Sequence, residues 1–110
     1  MKVNTQAVNF NANPQLLEFI QKRMDKLEMY YDKVIQSEVY LKVEKSSNKL
    51  NKIFEAKINV PGDCLVVKKQ CKSFEEGADI AVASLERQLK KRKEKLREKF
   101  KIFHKNVLNN

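Results

Sequence analysis

The C-terminal third of the chain limits the possible folds because it reads as one helix, longer than any strand in the sequence. Apolar residues recur at the three- and four-residue spacing of one helix face at Ala78, Val82, Leu85 and Leu89. That face has only Arg and Lys at positions 92 and 93, and it resumes with Leu96, Phe100 and Phe103. A helix from Phe74 to about Phe103 is ~45 Å long, whereas strands of about eight residues reach ~26 Å. We therefore expect the helix to project beyond the sheet from about Lys90, with a packed first half and an exposed second half.

The projecting half carries nearly all of the net charge. Residues 84 to 105 hold ten Lys or Arg and three Glu, a net of +7 out of +9 for the chain. In helical projection the acids Glu86, Glu94 and Glu98 share a side with the bases Arg87, Lys90, Arg97 and Lys101, where pairs three or four apart partly neutralise each other. A separate arc contains no acid and consists of Gln88, Lys91, Arg92, Lys95 and Lys99. We expect this acid-free arc to meet a polyanion.

A helix of this kind suits a solvated face, a membrane surface or a nucleic acid. The first is disfavoured because charges of one sign repel each other. A membrane-bound helix needs a broad apolar face, and this stripe is narrow and interrupted. Nucleic acid is favoured because a row of cations neutralises closely spaced phosphates with counterion release. Stacking on unpaired bases has less support, because the chain has no Trp and its exposed aromatic candidates are only Tyr30 and Tyr40.

The residues ahead of this helix predict a strand, a helix and three more strands. Val3 and Thr5 alternate with polar neighbours in a short first strand. Asn13 caps and Pro14 begins a helix of about 17 residues. Its apolar face is formed by Leu16, Ile20, Met24, Leu27 and Tyr31.

Two alternating strands follow, with Val39, Leu41 and Val43 inward in one and Phe54, Ala56, Ile58 and Val60 inward in the other. PGD at 61–63 predicts a turn into the strand CLVVKKQCK. Ser73 and Glu76 form a capping box that opens the last helix, although Gly77 lowers its helix propensity by up to about 1 kcal/mol.

The pattern predicts an α+β fold of the order βαβββα, a four-stranded sheet with two helices packed on one face. The first two strands are expected to be parallel if they are neighbours. Residues 1–103 form the single domain of this prediction, and residues 104–110 form a short flexible tail.

Composition argues against several classes of function. The chain has no apolar run long enough to span a membrane and no signal-peptide pattern at its start, which predicts a cytoplasmic protein without a membrane partner. Cys64 and Cys71 lie seven residues apart in one strand, so they are expected on opposite faces and unbridged. With one histidine, His104, and no cluster of nucleophile, base or metal-ligand residues, we predict no catalytic site, metal or cofactor.

Other basic residues extend the predicted RNA-binding surface beyond the arc. They lie on the first helix, at a strand end, before the last helix and along the last helix: Lys22, Arg23, Lys26, Lys45, Lys68, Lys69, Arg87, Lys90 and Lys93. Together with Lys91, Arg92, Lys95 and Lys99 they are predicted to line a groove that grips folded RNA by its shape and backbone.

Three segments resemble the ribosome hibernation promoting factor family, also called the ribosome-associated inhibitor or sigma-54 modulation protein family. They are KLEMYYDKVIQSEVYLKVEK at 26–45, EAKINVPGD at 55–63 and LERQLKKRKEKL at 85–96. The similarity covers residues 1 to about 99, and the order of elements agrees. It implies a fold similar to a double-stranded RNA-binding domain. It also implies binding to the small ribosomal subunit between head and body, over the decoding region, where the protein blocks messenger and transfer RNA and stores idle ribosomes.

The resemblance also implies site residues and a partner. The family's basic positions correspond to Arg23 and Lys26 on the first helix and to Arg87, Lys91, Lys93 and Lys95 on the last. The opening SFEEGADIAV departs from the usual Asp-x-Tyr-x-Ala-Ile-Asp-like pattern, and the loop 46–52 is longer than in short relatives. Long members add a C-terminal dimerisation domain that has no counterpart here, so ribosome pairing is expected to need a second factor or contacts between the ribosomes themselves.

Two other functions stay open beside ribosome hibernation. One is a general structured-RNA-binding protein without ribosome specificity, and the other is an adaptor whose basic arm docks on an acidic protein such as a polymerase sigma factor. The favoured partners are the 16S-type RNA of the small subunit and nearby ribosomal proteins, and the free protein is expected to be monomeric.

Overall fold

The computed structural model describes residues 3–8, 10–30, 34–44 and 50–108, without the side chains of residue 30 and residues 99–108. The elements are β1 (Val3–Val8), α1 (Pro14–Tyr30), β2 (Gln36–Val43), β3 (Lys52–Val60), β4 (Asp63–Cys71) and α2 (Phe74–Leu108). The predicted order βαβββα is therefore confirmed.

The four strands form one sheet in the order β1-β2-β3-β4. β1 and β2 are parallel, as a crossover through α1 requires, and the other two pairs are antiparallel. The register aligns Val39 of β2 with Ala56 of β3 and Val67 of β4. All three are buried, so the apolar faces of the strands form one continuous surface.

α1 begins as its sequence predicts. The Asn13 side-chain oxygen accepts a hydrogen bond from the Leu16 N–H at 2.7 Å, which satisfies a donor that the first helical turn leaves free. Ile20, Met24 and Leu27 are fully buried against the sheet and α2. Tyr31, predicted as the last residue of this apolar face, lies outside the described residues.

The first turn of α2 lies unusually close to the sheet. The Ser73 hydroxyl accepts a hydrogen bond from the Glu76 N–H at 3.1 Å, which supplies the serine half of the predicted capping box. A Cβ atom on Gly77 would lie only 2.7 Å from Phe54 Cβ and 2.8 Å from Cys71 Sγ. Glycine therefore lets this turn pack on β3 and β4, and that packing offsets its low helix propensity.

Both helices cover the same face of the sheet, as predicted, and the core lies between the two layers. Val43 is the exception among the residues predicted to face inward, because 46% of it is exposed. It is the last residue of β2 and lies one position past Lys42, where the pairing with β1 ends. The end of the strand therefore extends beyond the covered part of the sheet.

α2 is longer than predicted, with 35 residues that end at Leu108 instead of about Phe103. Residues 104–108, predicted as a tail, are therefore helical, and residues 109 and 110 lie outside the described part. The molecule measures 62 × 28 × 18 Å, and its radius of gyration is 17.2 Å, against ~13 Å for a compact domain of this length. The long helix is the main cause of this elongation.

Candidate nucleic-acid interface

α2 changes from a packed helix to an exposed one along its length. Ala78, Ala81 and Leu85 are fully buried, and Leu89 is the last core residue. Leu96, the next leucine on that face, is 47% exposed. Phe100 and Phe103, predicted to continue the stripe, belong to the side chains that the structure leaves undescribed. The predicted division into a packed half and a projecting half is confirmed as far as Leu96.

Arg92 attaches α2 to the turn between β3 and β4. One terminal nitrogen lies 3.4 Å from the Asp63 carboxylate, and the other donates a hydrogen bond to the Pro61 carbonyl. Only 21% of the Arg92 side chain is exposed, and its buried Nε has no hydrogen-bond partner in the described part of the chain. The helix therefore leaves the fold at about Arg92, two residues beyond Lys90, near which the overhang was predicted to begin. We call residues 93–108 the arm.

The acid-free arc is free of acids along the helix but not in the fold. Asp63, 29 residues before Arg92, lines a shallow depression together with Leu65, Gln88, Lys91, Arg92, Lys95 and Leu96. A projection of one helix cannot show a carboxylate that arrives from another element. The Asp63 carboxylate contacts Arg92, so Arg92 is not a free cation of the arc. Lys91 and Lys95 beside it are exposed.

The exposed cations along α2 have no ion-pair partner among the side chains that the structure describes: Arg87, Lys90, Lys91, Lys93, Lys95 and Arg97. In that part of the helix no ion pair joins Glu86 or Glu94 to a neighbouring base. The predicted pairing on this side is therefore not seen among the described side chains. The side chains of Lys99 and Lys101 lie outside the description.

The predicted cations of α1 differ in their contacts. The Arg23 Nε lies 3.0 Å from the Asp79 carboxylate of α2, and its guanidinium stands 4.8 Å over the Phe19 ring. Arg23 thus links the two helices. Lys22 pairs with Glu18 at 3.2 Å on the exposed face of its own helix. Lys26 is exposed and has no ion pair among the described side chains.

Lys68 is not brought together with the arc. Val67 and Cys71 of β4 face the helices, so Lys68 faces away from them, in register with Glu55 of β3. Lys69 is on the helix side, in register with Phe54. Lys45 lies outside the described residues. Two opposite faces of the sheet cannot line one groove, so the predicted single groove is wrong with respect to Lys68.

The open face of the sheet carries mixed charges and an engaged tyrosine. The Tyr40 hydroxyl donates a hydrogen bond to the Glu38 carboxylate at 3.0 Å, and this bond and the negative charge of Glu38 raise the pKa of Tyr40. Lys57 lies 5.7 Å from the centre of the Tyr40 ring and 3.9 Å from Glu55. Tyr40, which was predicted as a base-stacking candidate, is therefore already in contact with charged side chains of the protein itself.

Two other kinds of site are absent from the described part of the chain. It contains no group of three or more His, Cys, Asp or Glu placed to hold a metal ion. None of its helices combines the length and apolar character that a membrane crossing requires. Cys64 is exposed, Cys71 is buried, and both are free thiols, which confirms their predicted opposite orientation.

Comparison with known proteins gives concordant results from sequence and structure. Residues 3–97 match the family model described as sigma 54 modulation protein / S30EA ribosomal protein. The chain is 30% identical to the ribosome hibernation promoting factor of Pseudomonas putida over 86% of this chain and 89% of that protein. It is 31% identical to the factor of the same name from Escherichia coli strain K12, over 89% and 99%.

Two solved structures share the fold. A ribosomal subunit interface protein from Coxiella burnetii superimposes with a TM-score of 0.74 at 22% identity, over 84% of this chain and 98% of that one. The N-terminal domain of Protein Y from Thermus thermophilus gives a TM-score of 0.68 at 20% identity, over 81% and 93%. Since the family model spans most of the chain and curated relatives match it at 30% identity, this protein belongs to the sigma 54 modulation protein / S30EA ribosomal protein family.

Proposed function

We propose that this protein is a ribosome hibernation factor that binds the small ribosomal subunit near the decoding region. It would block messenger and transfer RNA there and so inhibit translation in idle cells. Family membership and the names of the curated relatives support the ribosome as partner. The observation that carries the proposal for this chain is the row of exposed, unpaired cations along the outer half of α2 in the described part of the chain.

The charge pattern fits ribosomal RNA as the contacted material. A polyphosphate backbone attracts closely spaced cations of one sign and releases its condensed counterions when they bind. Lys91 and Lys95 are exposed one turn apart on the same side of the helix, and they are the central proposed contacts. Lys93 lies on the other side with Lys90 and Arg97. The remaining proposed contacts are Lys22, Arg23, Lys26, Lys45, Arg87, Lys90, Lys93 and Lys99, whereas Arg92 is held by the turn at Asp63 and Lys68 faces away from the helices. Contacts to phosphate fix position and carry no base sequence information, as suits a partner recognised by its shape.

The geometry fits occlusion of a channel between two bodies of RNA. The arm is a rod of about 16 residues, ~24 Å long at 1.5 Å per residue, and the packed half of α2 holds it to the sheet. Such a rod can occupy a path that messenger or transfer RNA would use, while the folded part remains outside. We propose that the free protein is a cytoplasmic monomer and that ribosome pairing, where it occurs, depends on a second factor or on contacts between the ribosomes themselves.

Sedimentation with purified small subunits tests this proposal. We expect the protein to pellet with small subunits, to pellet less with large subunits, and to be displaced by transfer RNA in a concentration-dependent way. Translation of a reporter message in a reconstituted system should fall as the protein is added before the message, and should fall less when initiation is already complete.

Generic duplex RNA provides the contrasting measurement. Equal affinity for arbitrary RNA duplexes and for small subunits would replace the hibernation proposal with general structured-RNA binding. Binding to an acidic protein that survives RNase treatment, with no pelleting on small subunits, would replace it with the adaptor function.

A further inference from the structure

We propose that Arg92 is a positioning residue, which holds the arm at a fixed angle by clamping α2 to the turn between β3 and β4, and that it does not itself contact phosphate. Asp63 then assists binding to a polyanion although it is negatively charged. The inference rests on the proposed function, because the arm must have a nucleic-acid partner for its angle to matter. We call the contact of Arg92 with Pro61 and Asp63 the clamp.

The turn is built to present two acceptors to Arg92. Pro61 and Gly62 are the two residues between Val60 and Asp63, which are paired across the strands, and Gly62 has a φ of +78°, as in a type II turn. The Pro61 carbonyl accepts one hydrogen bond from Arg92. One oxygen of Asp63 accepts a hydrogen bond from the Cys64 N–H at 2.8 Å, and the other lies 3.4 Å from Arg92. The Cys64 N–H therefore helps to orient the Asp63 carboxylate toward Arg92.

Most of the guanidinium is engaged by the turn or buried, which leaves one N–H on each terminal nitrogen. Its two terminal nitrogens each contact an acceptor of the turn, and its Nε is buried. Lys91 and Lys95, on either side in sequence, are exposed and unpaired in the described part of the chain. A phosphate that approached this surface would meet the two exposed lysines first, and it would have to compete with Asp63 and Pro61 for Arg92.

The position of the clamp explains why it can control the arm. The last core residue of α2 is Leu89, and Arg92 lies three residues further, about 4.5 Å along the axis. Beyond it the described side chains of the arm, Lys93 to Glu98, are exposed. The clamp is the outermost ion pair between α2 and the rest of the fold in the described part of the chain, so a change of angle at Arg92 would displace the whole arm.

Neutralising Asp63 should change the affinity for small subunits in a direction that depends on its role. Affinity falls if Asp63 holds the clamp and rises if Asp63 acts only as a repulsive charge. Asp63→Asn removes a negative charge and weakens the clamp, whereas Glu94→Gln removes a negative charge from the arm and leaves the clamp intact. We expect Glu94→Gln to tighten binding to small subunits and Asp63→Asn to weaken it several-fold. Tighter binding by both variants would overturn the inference, because Asp63 would then act only as a repulsive charge.

The salt dependence of binding separates positioning from contact at Arg92 itself. Arg92→Gln should weaken binding while its slope of log K against log salt stays that of the wild type. Lys91→Gln should flatten that slope by about 0.7 to 0.9, the change for one lost phosphate contact. An equal flattening by Arg92→Gln would show that Arg92 is itself a phosphate ligand and would overturn the inference.

Arm orientation can be measured without any ribosome, which separates failure of the clamp from failure of the proposed function. Spin labels at Val66→Cys and Arg97→Cys in a Cys64→Ser background should give one narrow distance distribution. Asp63→Asn or Arg92→Gln should broaden it, and the exchange of Arg92→Asp with Asp63→Arg should narrow it again. Unchanged distributions would overturn the clamp, whereas broadened distributions with binding unaffected by Lys91→Gln and Lys95→Gln would retain the clamp and overturn the proposed RNA contact. Melting temperatures of all variants confirm that each one is folded.

Discussion

The two halves of α2 have the same helical backbone, but the side chains of the first half are packed in the core and those of the second half are exposed to solvent. From Phe74 to Leu89 the helix buries Ala78, Ala81 and Leu85 against the sheet and α1. From Lys93 to Glu98 every side chain is exposed and most carry charge. Burial of apolar area stabilises the first half at roughly 25 cal/mol per Å², whereas the described side chains of the second half bury little apolar area beyond part of Leu96.

The anchored half therefore contributes to the stability of the fold, whereas under the proposed function the arm contacts the ribosome. Substitutions in the anchored half should change the free energy of unfolding, and substitutions in the arm should change binding. At the junction between them, Arg92 makes a structural contact that we also expect to affect binding.

The strongest contrast should come from the same substitution in the two halves. Leu85 is fully buried and Leu96 is 47% exposed, and both lie on the apolar face of α2. We expect Leu85→Ala to lower the free energy of unfolding by about 2–5 kcal/mol, because it removes buried methyl groups and leaves a cavity. Urea denaturation followed by circular dichroism measures this change.

Leu96→Ala is the matched control and should alter the free energy of unfolding by only about 0.5 kcal/mol, as substitutions of exposed residues usually do. Comparable losses from the two variants would mean that the arm packs against the fold in solution and would remove the distinction between the two halves.

The next largest effect is expected at Gly77, where two physical principles disagree in sign. Helix propensity alone predicts that Gly77→Ala stabilises α2 by up to about 1 kcal/mol. The added Cβ would lie 2.7 Å from Phe54 Cβ and 2.8 Å from Cys71 Sγ, and overpacking of this kind usually destabilises by about 1–3 kcal/mol. We expect the clash to dominate and the melting temperature to fall.

The reverse change at an exposed position of the same helix is the control for Gly77→Ala. Ala83 is exposed, so Ala83→Gly measures helix propensity without a packing term and should destabilise by up to about 1 kcal/mol. Propensity alone would make the two variants shift the melting temperature in opposite directions, whereas the clash makes both lower it. A rise for Gly77→Ala would contradict the close packing of this turn on the sheet.

Much of the fold was predictable because its signals are local. The cap at Asn13, the turn at Gly62 and the alternation of Val39 and Leu41 each depend on residues within a few positions. Family membership, and with it the prediction that the protein is not an enzyme, is also confirmed. The likeness to a double-stranded RNA-binding domain stays a prediction.

The candidate site was less predictable because its arrangement depends on tertiary contacts. Arg92 and Arg23 pair with Asp63 and Asp79, which belong to other elements of the fold, and no pattern within one helix indicates them. The orientation of Lys68 was within reach, since alternation from the apolar Val67 already places it on the other face of β4. The end of α2 was missed because helical periodicity does not determine where an exposed helix stops.

Binding to small subunits should distinguish the two sides of the arm. Replacement of Lys91, Lys95 and Lys99 by Gln should lower affinity at least about tenfold and flatten the salt dependence by roughly 0.7 to 0.9 log units per lost phosphate contact. The same change at Lys90, Arg97 and Lys101 should have a smaller effect, because Glu86, Glu94 and Glu98 already lower the potential on that side. Filter binding across a range of salt concentrations measures both quantities.

Melting temperature is the control for both sets and should barely move, because the described members are exposed and unpaired in the described part of the chain. Equal losses of affinity from the two sets would refute the assignment of the arc as the contact surface and would favour a field effect of the whole arm.

The smallest expected effect concerns the two cysteines, which test whether water reaches the interior beneath the anchored half of α2. Cys71 lies under the first turn of α2 with its thiol 3.3 Å from the Lys52 carbonyl, and burial raises its pKa above the ordinary value of 9.0. The unfolded chain then releases this proton first, so the contribution of Cys71 to stability is present below about pH 9 and is lost as the pH rises toward its folded-state pKa.

Over about pH 8–10 the free energy of unfolding should therefore fall more steeply for Cys64→Ala than for Cys71→Ala, by a part of the ~1.4 kcal/mol per pH unit that one proton allows. Equal slopes, or iodoacetamide labelling of Cys71 as fast as that of the exposed Cys64, would mean that water reaches the sheet beneath Gly77 and that the anchored half is looser than its packing indicates.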